Sequence, residues 1–596
     1  MPSTRLPRTA AHASGVVYHY KRMIPRPVAR LALVFAFATL SCANRKPPPR
    51  ASLPPTEAVH RDAARPGQGC ASEPLRTSGR IHYVCDCQAG AAPGCTPGSD
   101  DNRGTTPTRP LRSYSKAAEA FTSMNAGDSV AFCRGGRWNL TGGAGWANAN
   151  CRKDNTCDIR DYAPPWGGGS EAKPSIAICG GSTGATLMTF IHPPQHFEGY
   201  RVLNLDLHGS SSDTAIFFFN ETTDVDLCSL SSDGFGISVQ VSGGDSPSLG
   251  VSSNIVLRNS RITNNTNIAY LAVCDHCTVD NNFFDNNGAR DTRTHTIYFA
   301  SQAYNVNGRT VVHTSQGMRL SRNEIHYSKQ PCMGAPVVVH GRHQDVVIED
   351  NVVDAASASD QCWGPGVGCG GYGYGCWFRN TVIRNNVFRT LGNVGSDDSN
   401  CTGCTIENNL FVMNRNGTAI SVGGTKPRPE GDPSYSQWDG SPDDASSSVL
   451  VRNNTFYFTE SATSATAITI SSGNGHVLEN NAIAFAAAKP NGSTCYQLAG
   501  APTLVLAGAD YNLCSLRGDS WASYPPNSGT SLAHWQEAGF DRHSKQANPM
   551  FSDPSAEFVP AAGSPLIDAA DPRNSPKNDL VRKPRDPHPD IGAYER

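Results

Sequence analysis

The sequence predicts an all-β solenoid: a right-handed parallel β-helix with an N-terminal capping helix and an irregular C-terminal cap. Three observations carry that expectation. A short motif recurs, as "TVIRNNVFRT", "CTIENNLFVM", "VLVRNNTFYF" and "HVLENNAIAF". Aligned copies place Asn at 282, 323, 351, 386, 409, 454 and 481, and two earlier copies carry Cys228 and Ser260 in that slot, at intervals varying from 22 to 45 residues. Upstream of many copies lies a second alternating stretch, such as "TAIFFF", "GISVQV", "HTIYFAS", "PVVVHG", "TAISVG" and "TAITIS". One such coil cannot bury its inner face alone. Stacked coils pair each strand with its copy ~4.8 Å above, which closes the core and satisfies the backbone. Asn suits the corner because it tolerates the left-handed conformation and because its amide can bond to the same amide one coil along. A β-sandwich or propeller would call for hairpins every ~8–12 residues or blades of ~40.

The elements follow in order. From Met23, "MIPRPVARLALVFAFATLSC" has a basic start, an apolar run from Leu31 to Leu40 and a small residue before Cys42, so residues 1–42 read as a leader with Met23 as the start. It resembles a bacterial lipoprotein signal with Cys42 as the lipidated residue; a plain secretory signal or a short anchor helix is the alternative. Residues 43–69, rich in Pro and charge, read as a tether. A Cys-rich opening from Cys70 to Cys95 follows. In "SYSKAAEAFTSMNAGDSVAFC", Ala117, Phe121 and Met124 share a helical face, Asn125 to Gly127 stop the helix, and "SVAFC" begins a strand. The β-helix is expected over 70–485 and the C-terminal cap over 486–596.

Composition narrows the function classes. Charged residues are only 17% of the 596, 57 glycines and much Ser, Thr and Asn supply uncharged polarity, and the net charge is −2. Nucleic acid is therefore not an expected partner. Nineteen cysteines remain beyond Cys42, an odd number, which implies a free or intermolecular thiol if the rest pair. The Cys274/Cys277 and Cys401/Cys404 pairs read as local disulfides or as half zinc sites, and their wide separation does not suit a compact zinc module.

Two longer stretches carry a resemblance. "IHYVCDC", "GSDDNRGTTPTRPLRSYSKAAEAF" and "AGDSVAFCRGG" resemble the opening of pectate-lyase-like parallel β-helix proteins. The tail "NPMFSDPSAEFVPAAGSPLIDAADPRNSPKNDLVRKPRDPHPDIGAYER" is similar to the end of the choice-of-anchor Q group of bacterial surface β-helix proteins. The resemblance implies a bacterial envelope or outer-surface protein, otherwise a secreted one. Lyases on this scaffold often use Lys or Arg as base with Ca²⁺ nearby, yet no lyase motif matches residue by residue.

With Ile297, Val337, Ile420 and Ile468 inward, alternation turns Tyr298 and His340 outward; His295 shares the parity of Ile297 and surfaces only if the strand begins after it. Arg342 follows at the corner, and Lys329 lies in the preceding loop. β-Elimination from a uronate needs a base for the C5 proton, a cation for the carboxylate and an acid for the leaving oxygen. His295, Tyr298, Lys329, His340 and Arg342 hold those chemistries between them; ordinary polar residues on a solvated face are the plainer reading. Tyr372, Tyr374 and Trp377 suit stacking on sugar rings or folding back as a plug. Asp397 and Asp398 read as a turn or a Ca²⁺ site. A polygalacturonase-type hydrolase is disfavoured, because its other motifs are missing. The expectation is a monomer that engages a polysaccharide and reaches a membrane through Cys42, as a lyase-like enzyme or as a non-catalytic glycan-binding or adhesin-type lipoprotein.

Overall fold

The computed structural model describes residues 78–596, with Cys70 and Leu75, apart from the loops at 180–183, 193–194, 244–249, 289–293, 307–308, 327–334, 356–363, 369–375, 392–393, 424–444, 488–491, 517–519 and position 556. Cys42 and the tether lie outside the described residues.

The chain visits three sheets in turn, so that neighbours within a sheet are one coil apart. Each sheet has 14 strands: sheet 1 runs from Ile81–Val84 to Leu506–Asp510, sheet 2 from Arg137–Leu140 to Lys545–Gln546, and sheet 3 from Ala144–Gly145 to Asn527–Thr530. Pairing is parallel throughout except at the last strand of sheet 3, which turns back on Ala522–Tyr524. This is a right-handed parallel β-helix, the hand that a crossover between parallel strands adopts. The sheets continue past Phe485, with Thr494–Leu498, Leu506–Asp510 and Leu513–Cys514 adding to sheets 3, 1 and 2.

The N-terminal helix spans Tyr114–Ser123 and starts where the Ser113 side chain accepts the Lys116 N–H. Its face of Tyr114, Ala117, Ala118 and Phe121 is buried, with Met124 just beyond it. Phe121 meets Trp146 at 5.4 Å and Tyr200 at 5.9 Å, which shields the first coils from water.

The paired asparagines divide two tasks between two residues. Asn281, Asn385, Asn408, Asn453 and Asn480 adopt positive φ, turning the corner from sheet 1 to sheet 2. Arg322, Asp350 and Tyr511 take the same conformation in other coils. The next residue forms the ladder: the Asn386 side chain donates to the Ile348 carbonyl at 2.9 Å and to Asn409 Oδ1 at 3.0 Å, while its own Oδ1 accepts from the backbone and side chain of Asn351. The row runs through Asn282, Asn323, Asn351, Asn386, Asn409, Asn454, Asn481 and Asn512, all at most 1% exposed. It ends on buried Asp541, which accepts from Asn512, Ser544, Trp521 and Trp535. The left-handed corner and the amide ladder, expected of one residue, thus belong to neighbours.

Residues beyond Gln546 fold back along the outside of sheet 2 as a strap. Phe558, Leu580 and Tyr594 cover Val352, Val387 and Leu410. Arg582 pairs with Asp350, Arg585 donates to Asn408 Oδ1 at 3.0 Å, and the Gly592 N–H reaches the Asn480 carbonyl at 2.9 Å. Among the described residues, disulfides join Cys70–Cys228, Cys85–Cys133, Cys87–Cys95, Cys151–Cys157, Cys274–Cys277, Cys401–Cys404 and Cys495–Cys514, and no described cysteine is free. The two Cys-x-x-Cys pairs are therefore corner disulfides rather than zinc ligands.

The division of labour at the corner gives a direct test. Asn386→Ala orphans buried donors and acceptors on both neighbouring coils and lowers unfolding stability by about 2–4 kcal/mol. Asn385→Gly keeps the left-handed corner and changes it by less than about 1 kcal/mol. Denaturant unfolding of both variants checks this, and equal losses would refute the assignment.

Candidate functional site

The outward face of sheet 3 holds the ionisable cluster. In His295–Ala300, His295 and Tyr298 are partly exposed while Thr296, Ile297 and Phe299 are buried, and the same exposed, buried, buried, exposed pattern recurs in Thr214–Phe219 and Thr418–Gly423. Two consecutive buried residues break strict alternation. That break brings His295 and Tyr298 to the same side, where the parity of a regular strand would have turned His295 inward. Their rings lie 5.6 Å apart and nearly parallel.

One coil on, Val337 and Val339 enter the core and His340 turns outward. Its Nδ1 lies 3.3 Å from Tyr298 Oη, a hydrogen bond whose donor depends on the imidazole tautomer. The two rings meet edge to face at 5.4 Å. His295 Nδ1 accepts the Ala335 N–H at 3.2 Å, which ties the first coil of the cluster to the second. Burial, with the nearby His295 and His343 rings, pushes the His340 imidazole down to about 3, so that it is neutral near pH 7.

The other expected residues are distributed differently. Gly341, at φ +112°, turns the chain onto a short fourth side of the helix, formed by Ser315–Gln316, Arg342–Gln344, Trp377–Arg379 and Cys401–Thr402. Arg342 therefore stands on the adjoining side, in register with Trp377, and not on the face of Tyr298. Trp377 is half-buried with the Arg379 guanidinium 4.2 Å over its ring. His343 is fully buried, with Nε2 2.7 Å from the His340 carbonyl oxygen. Lys329, Tyr372 and Tyr374 lie outside the described residues.

A cation shared by Asp397 and Asp398 does not fit. They are successive residues of the strand Val394–Ser399 and project to opposite faces. Asp397 turns outward in register with Gly366 and Ser421 and accepts the Ser399 hydroxyl at 3.0 Å; burial raises it above the ordinary carboxyl range. Asp398 enters the core, 1% exposed, between Val367 and Val422. Its Oδ2 accepts from Ser396 at 2.9 Å, Oδ1 has no partner, and burial lifts it to about 8.

Sequence reading missed Gly366 and Gly368, the outward positions of the coil between His340 and Asp397. The "GPGVGC" stretch carries the signal, since Val367 aligns with core Val339 and leaves a glycine on each side.

No family model matches the chain, and no curated protein does. Among solved structures, the GH136 lacto-N-biosidase from Eubacterium ramulus aligns over 79% of this chain and 67% of its own, at 11% identity and a TM-score of 0.40. The A-module of Azotobacter vinelandii mannuronan C-5 epimerase AlgE6 aligns over 66% and 94%, at 12% identity and a TM-score of 0.37. Pectate lyase Pel9A aligns over 87% and 98%, at 13% identity and a TM-score of 0.29.

Buried Asp398 makes stability depend on pH. Its folded value of about 8 lies above the ordinary 3.8, so the stability it contributes is present below pH ~4 and lost as pH rises through about 8. Asp398→Asn, neutral at every pH, raises the melting temperature at pH 9 and leaves it unchanged at pH 4. The same shift at both pH values would contradict a proton held in the core.

Proposed function

We propose that this protein is exported and engages a polysaccharide along the outward face of sheet 3, cleaving it at a uronate residue by β-elimination. The observation that carries the reading is the hydrogen-bonded Tyr298–His340 pair on the outward face of sheet 3. A neutral imidazole accepts a proton, and a phenol beside it supplies one.

With Nδ1–H donating to Tyr298 Oη, His340 Nε2 takes the C5 proton of the uronate. The C4–O bond breaks, a C4=C5 double bond forms, and the Tyr298 hydroxyl proton passes to the leaving oxygen. The phenolate then recovers a proton from His340 Nδ1 through the hydrogen bond they share, and water resets the tautomer. His295, stacked on Tyr298, holds the phenol ring in place. Lys329, expected from the sequence, is the cation assigned to the uronate carboxylate, since Arg342 stands on the adjoining side.

Tyr298→Phe and His340→Ala each lower the rate of double-bond formation, followed by ultraviolet absorbance, by roughly 10²–10⁴-fold, with binding largely retained. The acid limb of the wild-type rate profile falls near pH 3 rather than near the ordinary histidine value of 6.5, because the base form persists down to the lowered value. Unchanged rates in both variants would move the chemistry elsewhere. A non-catalytic glycan-binding role is favoured by one observation, the position of Arg342 on the adjoining side; retention of polymer with no new absorbance would decide for it.

The disulfides among the described residues support export, since such bonds persist in oxidising compartments. The leader ending at Cys42 supports a lipid anchor in a bacterial envelope, with 43–69 as tether and the tail as a surface-protein end. Cys42→Ser shifts the protein from the membrane fraction to the soluble one in cell fractionation; an unchanged distribution would exclude the lipid.

A further inference from the structure

The outer face of sheet 1 carries a column of charges that alternates in sign. From Glu349 onward the residues in register are Arg384, Glu407, Arg452, Glu479 and Asp510. Arg384 meets Glu349 at 2.7 Å, and Arg452 meets Glu407 at the same distance. The alternation fails at the last step. Where a base would follow Glu479, Asp510 sets a second carboxyl one strand spacing away, ~4.8 Å. Like charges opposite each other on neighbouring strands are destabilising.

The cations nearby are already engaged. Arg452 also donates to the Asn574 carbonyl, Arg573 pairs with Asp571, and His543 Nδ1 lies 2.7 Å from Asp510 Oδ2. Glu479 is 9% exposed and accepts one hydrogen bond, from Asn574 of the strap to Oε1 at 2.9 Å. Its Oε2 has no partner among the described residues. Burial, with the charges of Asp571 and Asp510, holds its carboxyl above the ordinary range.

The same two carboxyls line a cavity of about 240 Å³, with Val477, Gly508 and Phe540 among its other walls. A bulge helps to shape it: His476 pairs with Leu506 and Val477 with Gly508, leaving Ala507 as the extra residue that bends the strand. A divalent metal such as Ca²⁺ takes about six to eight oxygen ligands, and among the described residues no third carboxyl lines the cavity. An organic ammonium needs fewer acceptors, and Val477 and Phe540 supply apolar surface for its carbon frame. The volume is below the roughly 300–1,000 Å³ of drug-sized sites, which suits a single ring.

We propose that this cavity is a second glycan site, on a different sheet from Tyr298 and His340, that takes one hexosamine with a free amine. Its ammonium donates to Glu479 Oε2 and Asp510 and supplies the cation missing from the column. The site is independent of the elimination chemistry above.

Calorimetric titration with glucosamine hexamer and N-acetylglucosamine hexamer, at a pH where the free amine is charged, tests the site, because acetylation removes the ammonium and keeps the ring. The wild type is expected to bind the free-amine hexamer more tightly by at least about tenfold. Glu479→Gln keeps an acceptor for Asn574 and lowers that affinity by at least about tenfold, with a melting temperature no lower than the wild type's and unchanged double-bond formation from uronate polymers. Gly508→Leu, which projects into the cavity, lowers the affinity as much. Equal affinity for the two hexamers, or a folded Glu479→Gln that binds as the wild type does, overturns the proposal. Hexalysine bound as tightly as the glucosamine hexamer also overturns it, since the cation would then be recognised without the sugar.

Discussion

The structure depends on one constraint: each coil can satisfy its backbone and bury its inner face only against the next coil. The amide ladder enforces that constraint at the corner between sheets 1 and 2. Every ladder asparagine spends its carboxamide on the coils before and after it, buried where water cannot substitute. Because register slips by even one residue would exchange core and surface, the ladder also fixes which side chains face outward. The position of His340 beside Tyr298 follows from that fixed register.

Much of this was legible from the residues. The motif repeat, the helix from Tyr114 and the inward set of Ile297, Val337, Ile420 and Ile468 follow from periodicity, and all are found as expected. The ladder reads on to Asn512, whose "ADYNLC" context carries the same spacing with Tyr511 at the corner. What single-strand parity misses is the local break that turns His295 outward and the corner at Gly341 that turns Arg342 away. Both are properties of how a coil bends, and alternation alone does not encode a bend.

The two aspartates show the same limit. As "GSDDSN" they look like a loop with a shared ligand role, because Gly, Ser and Asn surround them. The strand pairing overrides composition: Asp398 sits in a column whose other members are Val339, Val367 and Val422. A carboxyl in that column remains protonated through most of the ordinary pH range.

The strap changes how such a solenoid loses its structure. A stack of coils touching only their neighbours frays from its ends, each coil leaving at a modest local cost. Here the final residues hold coils far apart in sequence, from Asp350 through Asn408 to Asn480, within one continuous segment. The last coils cannot peel away singly while that segment is docked. The C-terminal half therefore behaves as a single mechanical unit, resisting a pull along the axis as a bound sheaf does rather than as a zipper.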